Sequence, residues 1–303
     1  MSLIDDLKKP KNSLTEFNLI TSRALNHLSE MTSTKCDFSG YKLISSISSG
    51  TEKKTRPINN DLFIYDVALF EQKFNDFIGI LNQLKKGERN FQSDSYSLTD
   101  SVIYTIQQSI GIGFDLLGEP NSSRKHVGNR FEELIRLILT EIGITNKKLV
   151  LNIPYKSGKT IKNYQCEIDV VISKSKEIKS NNQTIHPEEI IFSLKTTTKD
   201  RMGKIFIDKL LIEKFTKSKV RVAGISLNDV QRKTYKDEKT KKVIEKISYT
   251  FVSNLFMVYT NFLTELEGYY FLDIPKPAKN EPLTNHIFKF SKFIFNDVWK
   301  MLA

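Results

Sequence analysis

Two neighbouring stretches decide the fold of this chain: YQCEIDVVIS at residues 164–173, and EIIFSLKTTTKDR at residues 189–201. Each holds a run of β-branched and aromatic residues bounded by polar sequence, which is typical of a strand. We predict strands over residues 164–173 and 189–195, joined by the polar loop from Lys174 to Glu188.

Strand periodicity assigns the side chains to faces, because successive residues point to opposite sides of a sheet. In the first strand Glu167 and Asp169 share a face with Gln165, and we expect the opposite face to pack the core with Cys166, Ile168, Val170 and Ile172. In the second strand Lys195 shares a face with Ile191 and Ser193, opposite Ile190, Phe192 and Leu194. If the two strands pair as a hairpin, Asp169 and Lys195 lie side by side at a sheet end.

The flanking segments extend this pair of strands into a larger unit. Apolar spacing predicts a helix over Gly128–Ile142, a strand over Leu149–Tyr155, a helix over Gly203–Lys217 and a strand over Val220–Leu227. Beyond a lysine-rich stretch we expect a strand-like segment, a helix from Ser253 to Gly268, a short YYFL strand and a terminal helix from about Asn285. The order helix, three strands, helix, strand predicts an α/β (α+β) domain with a mixed sheet.

The first 125 residues contain two strong helical patterns, Phe63–Lys85 and Ser97–Leu117, so we predict a mainly helical N-terminal part. The following GEPNSSRK, residues 118–125, combines turn-forming residues and is a plausible boundary. We therefore divide the chain into residues 1–125, for dimer or DNA contacts, and a second domain over residues 126–303.

Charge indicates the partner. The 303 residues carry a net charge of +11, and residues 195–246 alone hold 16 Lys and Arg against 7 Asp and Glu. A solvated surface is the usual explanation of such a run, but this concentration is the footprint of a phosphate-binding groove. Nucleic acid is the leading partner.

No apolar run approaches the ~20 residues of a membrane helix, and the N-terminus lacks an apolar signal core, so we expect a cytoplasmic protein without membrane contact.

Several other kinds of site are disfavoured. The four histidines are scattered and the two cysteines form no CxxC pair, so any metal should be held by carboxylates. SGKT at residues 157–160 lacks the first glycine of a P-loop, and GIG at residues 111–113 lacks the third glycine of a dinucleotide fingerprint. We expect no nucleotide cofactor and assign GIG to helix packing or a helix end. The aromatic residues Phe251, Phe256, Tyr259 and Phe262 fit a core-facing segment.

A carboxylate beside a lysine at a sheet end is what metal-assisted phosphodiester hydrolysis requires, although Asp169 and Lys195 alone are a weak signal. Their context resembles that of the PD-(D/E)XK nucleases. More specifically, KTTTKDR at residues 195–201 resembles the K-T-T-x-(K/R)-(D/E)-R signature of the type II restriction endonucleases of the EcoRII/NgoMIV-like branch, whose third active-site carboxylate is displaced.

The resemblance implies a Mg²⁺ site. In that branch the acid two residues before the lysine is absent, as at Ser193, and a carboxylate about thirteen residues after the lysine replaces it; here this is Asp208, where the family usually has Glu. The family also places a glutamate on the first helix. At 100° per residue Glu132 lies about 100° from the apolar face and Glu133 about 200°, so Glu132 can reach the site and Glu133 should face water. Alternatively, both only solvate the helix. The expected metal ligands are Asp169, Asp208 and Glu132, with Lys195 as the further catalytic residue.

For DNA reading the resemblance points to the residues that follow the lysine, namely Lys199, Asp200 and Arg201, with Lys204 beyond them. Arg and Lys donate to guanine, and a carboxylate accepts from cytosine N4. The alternative is that these charges only cap the loop before the next helix. We expect a homodimeric type II restriction endonuclease that cuts a short palindromic, G·C-containing site in double-stranded DNA with Mg²⁺. A repair or mobile-element nuclease and a non-catalytic DNA-binding protein remain open as alternatives.

Overall fold

The computed structural model describes residues 1–30, 33–38, 40–48, 51–118, 120–198, 201–236, 238 and 243–303. Its centre is a six-stranded sheet in the spatial order β12-β11-β8-β7-β6-β5. The strands are β5 (Thr145–Ser157), β6 (Thr160–Ser173), β7 (Ile190–Lys195), β8 (Arg221–Ser226), β11 (Gly268–Phe271) and β12 (Ile287–Lys289). The β5-β6 and β6-β7 pairs are antiparallel, whereas β7, β8, β11 and β12 run parallel. The predicted α/β class with a mixed central sheet is confirmed.

Helices cover both faces of this sheet. On one face, α5 (Pro120–Glu141) packs Phe131 and Ile135 into a core cluster that also holds the β7 residues Phe192 and Leu194. On the other face, α6 (Met202–Thr216) and α7 (Ser253–Phe262) pack over a second cluster with Ile191. The predicted division of the β7 side chains between two faces is therefore confirmed.

The N-terminal part contains α1 (Leu3–Lys8), α2 (Leu14–Glu30), α3 (Val67–Lys85) and α4 (Ser93–Leu117). It also contains an antiparallel sheet that the sequence did not predict, formed by β1 (Ser33–Phe38), β2 (Tyr41–Ser48), β3 (Thr51–Lys54) and β4 (Ile58–Asn59). These strands are rich in Ser, Thr and Lys and lack a clear apolar alternation. Long-range contacts link this sheet to the C-terminal region, such as the hydrogen bond that the Tyr41 hydroxyl donates to Asp273, 2.9 Å long.

The segment predicted as a break is largely helical, because α5 begins at Pro120 rather than at Gly128. Proline suits the first turn of a helix, where its missing N–H costs nothing. Residues from both sides of the predicted boundary, such as Phe70 and Ile106 before it and Phe131 and Phe293 after it, belong to one core cluster. The division into 1–125 and 126–303 stays a prediction.

A bulge in β6 changes the predicted side-chain faces. Leu149 pairs with Ile168 but Lys147 pairs with Val171, so Asp169 and Val170 both lie opposite the single Lys148. An extra residue reverses the alternation that follows it. Cys166 and Ile168 accordingly pack in the α6-side cluster, whereas Val170 and Ile172 pack in the α5-side cluster. The prediction that these four residues share one face is wrong.

Several element ends also differ from prediction. Helix α3 begins at Val67 instead of Phe63, because the carboxylate of Asp66 caps it by accepting from the Leu69 N–H at 2.7 Å. Helix α7 ends at Phe262 instead of Gly268. Phe251 and Phe256 are buried as expected, but Phe262 is 80% exposed in the last turn of α7, so its prediction as a core residue is wrong.

The C-terminal region completes the fold. The basic stretch forms a hairpin of β9 (Val230–Lys236) and β10 (Val243–Tyr249). Short 3₁₀ turns cover Lys276–Lys279 and Leu283–Asn285. The terminal helix begins later than predicted and comprises α8 (Phe290–Lys292), a π-helical turn (Phe293–Asp297) and α9 (Val298–Leu302). No helix in the described part of the chain is long and apolar enough to span a membrane.

Both glycine motifs have structural roles in the described residues. SGKT forms the tight turn between β5 and β6, with Gly158 at φ +63°. Gly111 and Gly113 lie in α4, where a Cβ would stand 2.3 Å from the Arg56 guanidinium carbon and 2.6 Å from a Leu7 methyl carbon, respectively. The assignment of GIG to helix packing is confirmed.

Candidate active site

Asp169 and Lys195 are adjacent, as the strand pattern predicted. The Lys195 Nζ donates to Asp169 Oδ2 at 2.7 Å, and the backbone N–H of Leu194 donates to the same oxygen at 2.7 Å. Asp169 is only 7% exposed. The bulge in β6 places this carboxylate beside the carboxyl end of β7. The result is a largely buried carboxylate and an ammonium held together at the sheet end.

Glu132 approaches this pair from α5. Its Oε2 accepts from Lys148 Nζ at 2.8 Å. Burial raises the pKa of Glu132 and the nearby charge of Asp169 raises it further, whereas Lys148 and Lys195 act in the opposite direction. Glu132 is therefore within electrostatic reach of Asp169 and Lys195, on the side that helix geometry predicted.

Lys148 is a member of this group that sequence reasoning missed. It lies opposite the β6 bulge, and the charges of Glu132, Glu167 and Asp169 all contribute to raising its pKa against the effect of burial. The only signal in the sequence was a lysine directly before an apolar strand run, KKLVLNI at residues 147–153. Such a lysine is common at strand ends and would not have been selected without the register.

Glu133 is only partly exposed and is hydrogen-bonded within the protein, so the prediction that it should face water is wrong. Its side chain accepts the backbone N–H of Lys11 at 2.9 Å and an N–H of the Arg130 guanidinium at 2.7 Å. The segment between α1 and α2 covers this side of α5, a long-range contact that helix periodicity alone does not reveal. Glu133 thus anchors the N-terminal segment, away from the Asp169 pair.

Asp208 comes from α6 on the opposite face of the sheet. It lines a cavity of about 20 Å³ together with Asp169, Glu167 and Ser193. The Ser193 hydroxyl lies 3.5 Å from Asp169 Oδ2. Both carboxylate oxygens of Asp208 accept from Lys204 Nζ, at 2.7 and 2.5 Å. The structure brings Asp208 to the cavity of Asp169, whereas Glu132 does not line it.

Each of the three acids is thus paired with its own lysine. The pairs are Glu132–Lys148, Asp169–Lys195 and Asp208–Lys204. Within the residues that the structure describes, no three His, Cys, Asp or Glu side chains form a group that could hold a metal ion. The chemistry of the cavity nevertheless suits Mg²⁺, which prefers carboxylate oxygens. Burial raises the pKa of the Cys166 thiol in the same cavity, so this group stays protonated and is a poor ligand at neutral pH.

A larger opening of about 610 Å³ begins directly beyond Lys195, and we call it the cationic cleft. One wall is the loop with Thr196, Thr197 and Arg201, and the carboxyl end of the parallel strand β8 lies beside it. Ligands of open α/β sheets bind at the carboxyl ends of strands. The basic residues that line the cleft are Lys54, Arg56, Arg124, Arg201 and Arg232.

The residues predicted to read DNA lie in different places in the structure. Arg201 is exposed at the N-cap of α6 and lines the cationic cleft. Its loop is held by Thr198, whose carbonyl accepts the Arg201 N–H at 3.2 Å and whose hydroxyl lies 2.8 Å from that of Thr250. Lys204 binds Asp208 instead of lining the cleft. Lys199 and Asp200 lie outside the described residues.

A solved structure with the same architecture is the crystal structure of the type IIP restriction endonuclease Kpn2I. The two chains superpose with a TM-score of 0.66 at 19% sequence identity, over 95% of this chain and 91% of Kpn2I. The chain has the fold of a restriction endonuclease. The complex of the restriction endonuclease PspGI with its substrate DNA also matches, at 12% identity and a TM-score of 0.41, over 77% of this chain and 92% of PspGI. No family model and no curated protein sequence matches the chain.

Proposed function

We propose that this protein is a Mg²⁺-dependent type II restriction endonuclease that cleaves double-stranded DNA at a short palindromic site containing G·C pairs. The observation that carries the proposal is the contact between Asp169 and Lys195 at a sheet end, 2.7 Å long, beside a cleft lined by basic residues. The fold that the chain shares with Kpn2I supports it.

Each residue of the site has a proposed task. Asp169 and Asp208 would hold Mg²⁺ through the cavity that they share, and Glu132 would add a third carboxylate from α5. When bound, the ion would supply charge neutralisation at the phosphate and activation of a water molecule. The Lys195 ammonium would orient the attacking water and stabilise the negative charge that develops on the phosphate. Its contact with Asp169 fixes its position before substrate arrives.

Arg201 is the proposed reader of a G·C pair, with Lys199, Asp200 and Lys204 as further DNA contacts. Arginine can bond bidentately to guanine O6 and N7, and each such pair contributes about 1–3 kcal/mol of discrimination. We expect Arg201→Ala to relax the sequence preference, measured by binding competition between oligonucleotides that differ in one base pair. An unchanged sequence preference would show that Arg201 does not read a base pair and only occupies the N-cap position of α6.

The decisive experiment is incubation of the protein with plasmid DNA with and without Mg²⁺, followed by mapping of the ends. Discrete fragments that require Mg²⁺ and disappear in EDTA are expected. A mobility shift without any cleavage would favour the non-catalytic DNA-binding protein. Cleavage directed to ends or junctions instead of a fixed sequence would favour a repair or mobile-element nuclease.

We also propose that the protein is a homodimer, because two-fold protein symmetry matches the two-fold symmetry of a palindromic site. The proposal also includes a cytoplasmic location. Sedimentation of the protein alone and with a palindromic duplex tests the dimer, and one monomer per duplex at saturation would contradict it.

A further inference from the structure

We infer that the N-terminal part of the chain forms the second wall of the DNA-binding cleft, where Arg124 contacts a DNA phosphate. The inference rests on the proposed function, since it takes duplex DNA as the substrate. It assigns to residues before α5 and in its first turns a binding role that the resemblance to restriction endonucleases does not supply.

The cationic cleft is built from both ends of the chain. Lys54 of β3, Arg56 after it, Asp115 of α4 and Arg124 of α5 line it from the N-terminal side. The residues that line it from the other side are Arg201, Leu227, Asn228, Val230, Gln231 and Arg232. Thr196 and Thr197, which follow Lys195 directly, also line it. A polyanion in this cleft would therefore contact the N-terminal part and also Thr196, the residue directly after Lys195.

The basic residues of the cleft differ in whether a carboxylate already binds them. Arg56 donates to both oxygens of Asp115, at 2.8 and 2.9 Å. Lys54 Nζ lies 3.1 Å from Glu245, which is also 4.0 Å from Arg232. Asp115 is the only acid among the described residues that line the cleft.

Arg124 differs from these paired residues. Its side chain is exposed, and within the described ranges neither Arg124 nor Arg201 takes part in an ion pair with an acid. An exposed guanidinium has five N–H donors that are available to phosphate oxygens. Arg124 and Arg201 are therefore the two guanidinium groups of the cleft best placed to take a new anionic partner.

The distribution of charge favours an extended polyanion over a small anion. The basic residues come from β3, α5, β9 and two loops, and are spread around an opening of about 610 Å³. A single phosphate would be contacted by one or two of them. Duplex DNA presents a phosphate charge about every 1.7 Å of helix axis and can engage both walls at once.

Lys125 provides a matched control. It is the next residue of α5, is exposed and carries the same charge, but it does not line the cleft. Comparing Arg124→Ala with Lys125→Ala removes the general effect of one lost positive charge. Only the local contact differs between the two variants.

The test is the salt dependence of binding of a fluorescently labelled random-sequence duplex in EDTA, which prevents Mg²⁺-dependent cleavage. Between about 50 and 200 mM salt, each neutralised phosphate contributes about 0.9 to the slope of log affinity against log salt concentration. We expect Arg124→Ala to lower the magnitude of this slope by about 0.9 and Lys125→Ala to leave it close to the wild-type value. Arg124→Lys, which keeps the charge, should retain the slope.

Equal slopes for Arg124→Ala and Lys125→Ala would overturn the inference. So would a weakening of inorganic phosphate binding by Arg124→Ala with an unchanged duplex slope, because the site would then take a small anion. All variants are compared well below the lowest melting temperature in the set, so that differences in stability do not alter the folded fraction. Failure of the wild-type protein to cut DNA in Mg²⁺ would contradict the proposed nuclease but would leave this binding result intact.

Discussion

The cavity that Asp169 lines and the cationic cleft, which is lined by Thr196 directly after Lys195, differ in how their charges are arranged. Each of the three proposed site acids, Glu132, Asp169 and Asp208, is paired with a lysine, and the cavity that Asp169 and Asp208 line is about 20 Å³. The cleft is about 610 Å³ and is lined by five basic residues and one acid among the described residues. Paired charges at fixed positions suit chemistry, whereas a surface with an excess of basic residues suits the binding of a polyanion. The two tasks should therefore be separable by mutation.

Lys195→Ala should give the largest difference between the effect on cleavage and the effect on DNA binding. Removing this ammonium should slow cleavage by about 10²–10³-fold, because a preorganised stabiliser of developing charge is lost. Duplex affinity in EDTA should stay near that of wild type, since the basic residues of the cleft remain. Single-turnover cleavage and binding are measured side by side, with Lys214→Ala as a control on an exposed part of α6. Undiminished cleavage would refute the catalytic assignment.

An intermediate effect is expected from Asp208→Asn. The substitution removes one of the three carboxylates that line the cavity, so the Mg²⁺ concentration for half-maximal cleavage should rise about tenfold or more. Asp208→Glu, which restores the acid usual in the resembling family, should keep the wild-type requirement. Glu188→Gln, on the exposed loop before β7, is the control. An unaltered Mg²⁺ requirement in Asp208→Asn would remove this residue from the site.

The smallest effect is expected from Lys148→Met. Burial already raises the pKa of Glu132, and Lys148 counteracts this by donating to it at 2.8 Å. Without that ammonium the pKa of Glu132 should rise further, so its carboxylate form should appear only at higher pH. An NMR titration of the glutamate side-chain carboxyl carbons measures the change, with Lys147→Met as the neighbouring control. A pKa of Glu132 that does not move would show that the pair has no electrostatic role.

The position of the third acid shows what sequence and structure each contribute. The family signature predicted Asp208, and the structure places this residue in the cavity of Asp169. The choice between Glu132 and Glu133 needed tertiary contacts, because Lys11 binds Glu133 from a position 122 residues away. Lys148 was not identifiable in advance, since its place opposite Asp169 depends on the bulge in β6.

The sequence by itself determined the order of the central elements, the β7 faces and the closeness of Asp169 to Lys195. These follow from local periodicity and from the pairing of neighbouring strands, and short segments of sequence are enough to predict both. The tertiary structure alone decided the β6 bulge, the polar N-terminal sheet and the cleft that joins Arg124 to Arg201. Each depends on contacts between residues that are distant in sequence, and a local sequence pattern does not predict the free energy of such contacts.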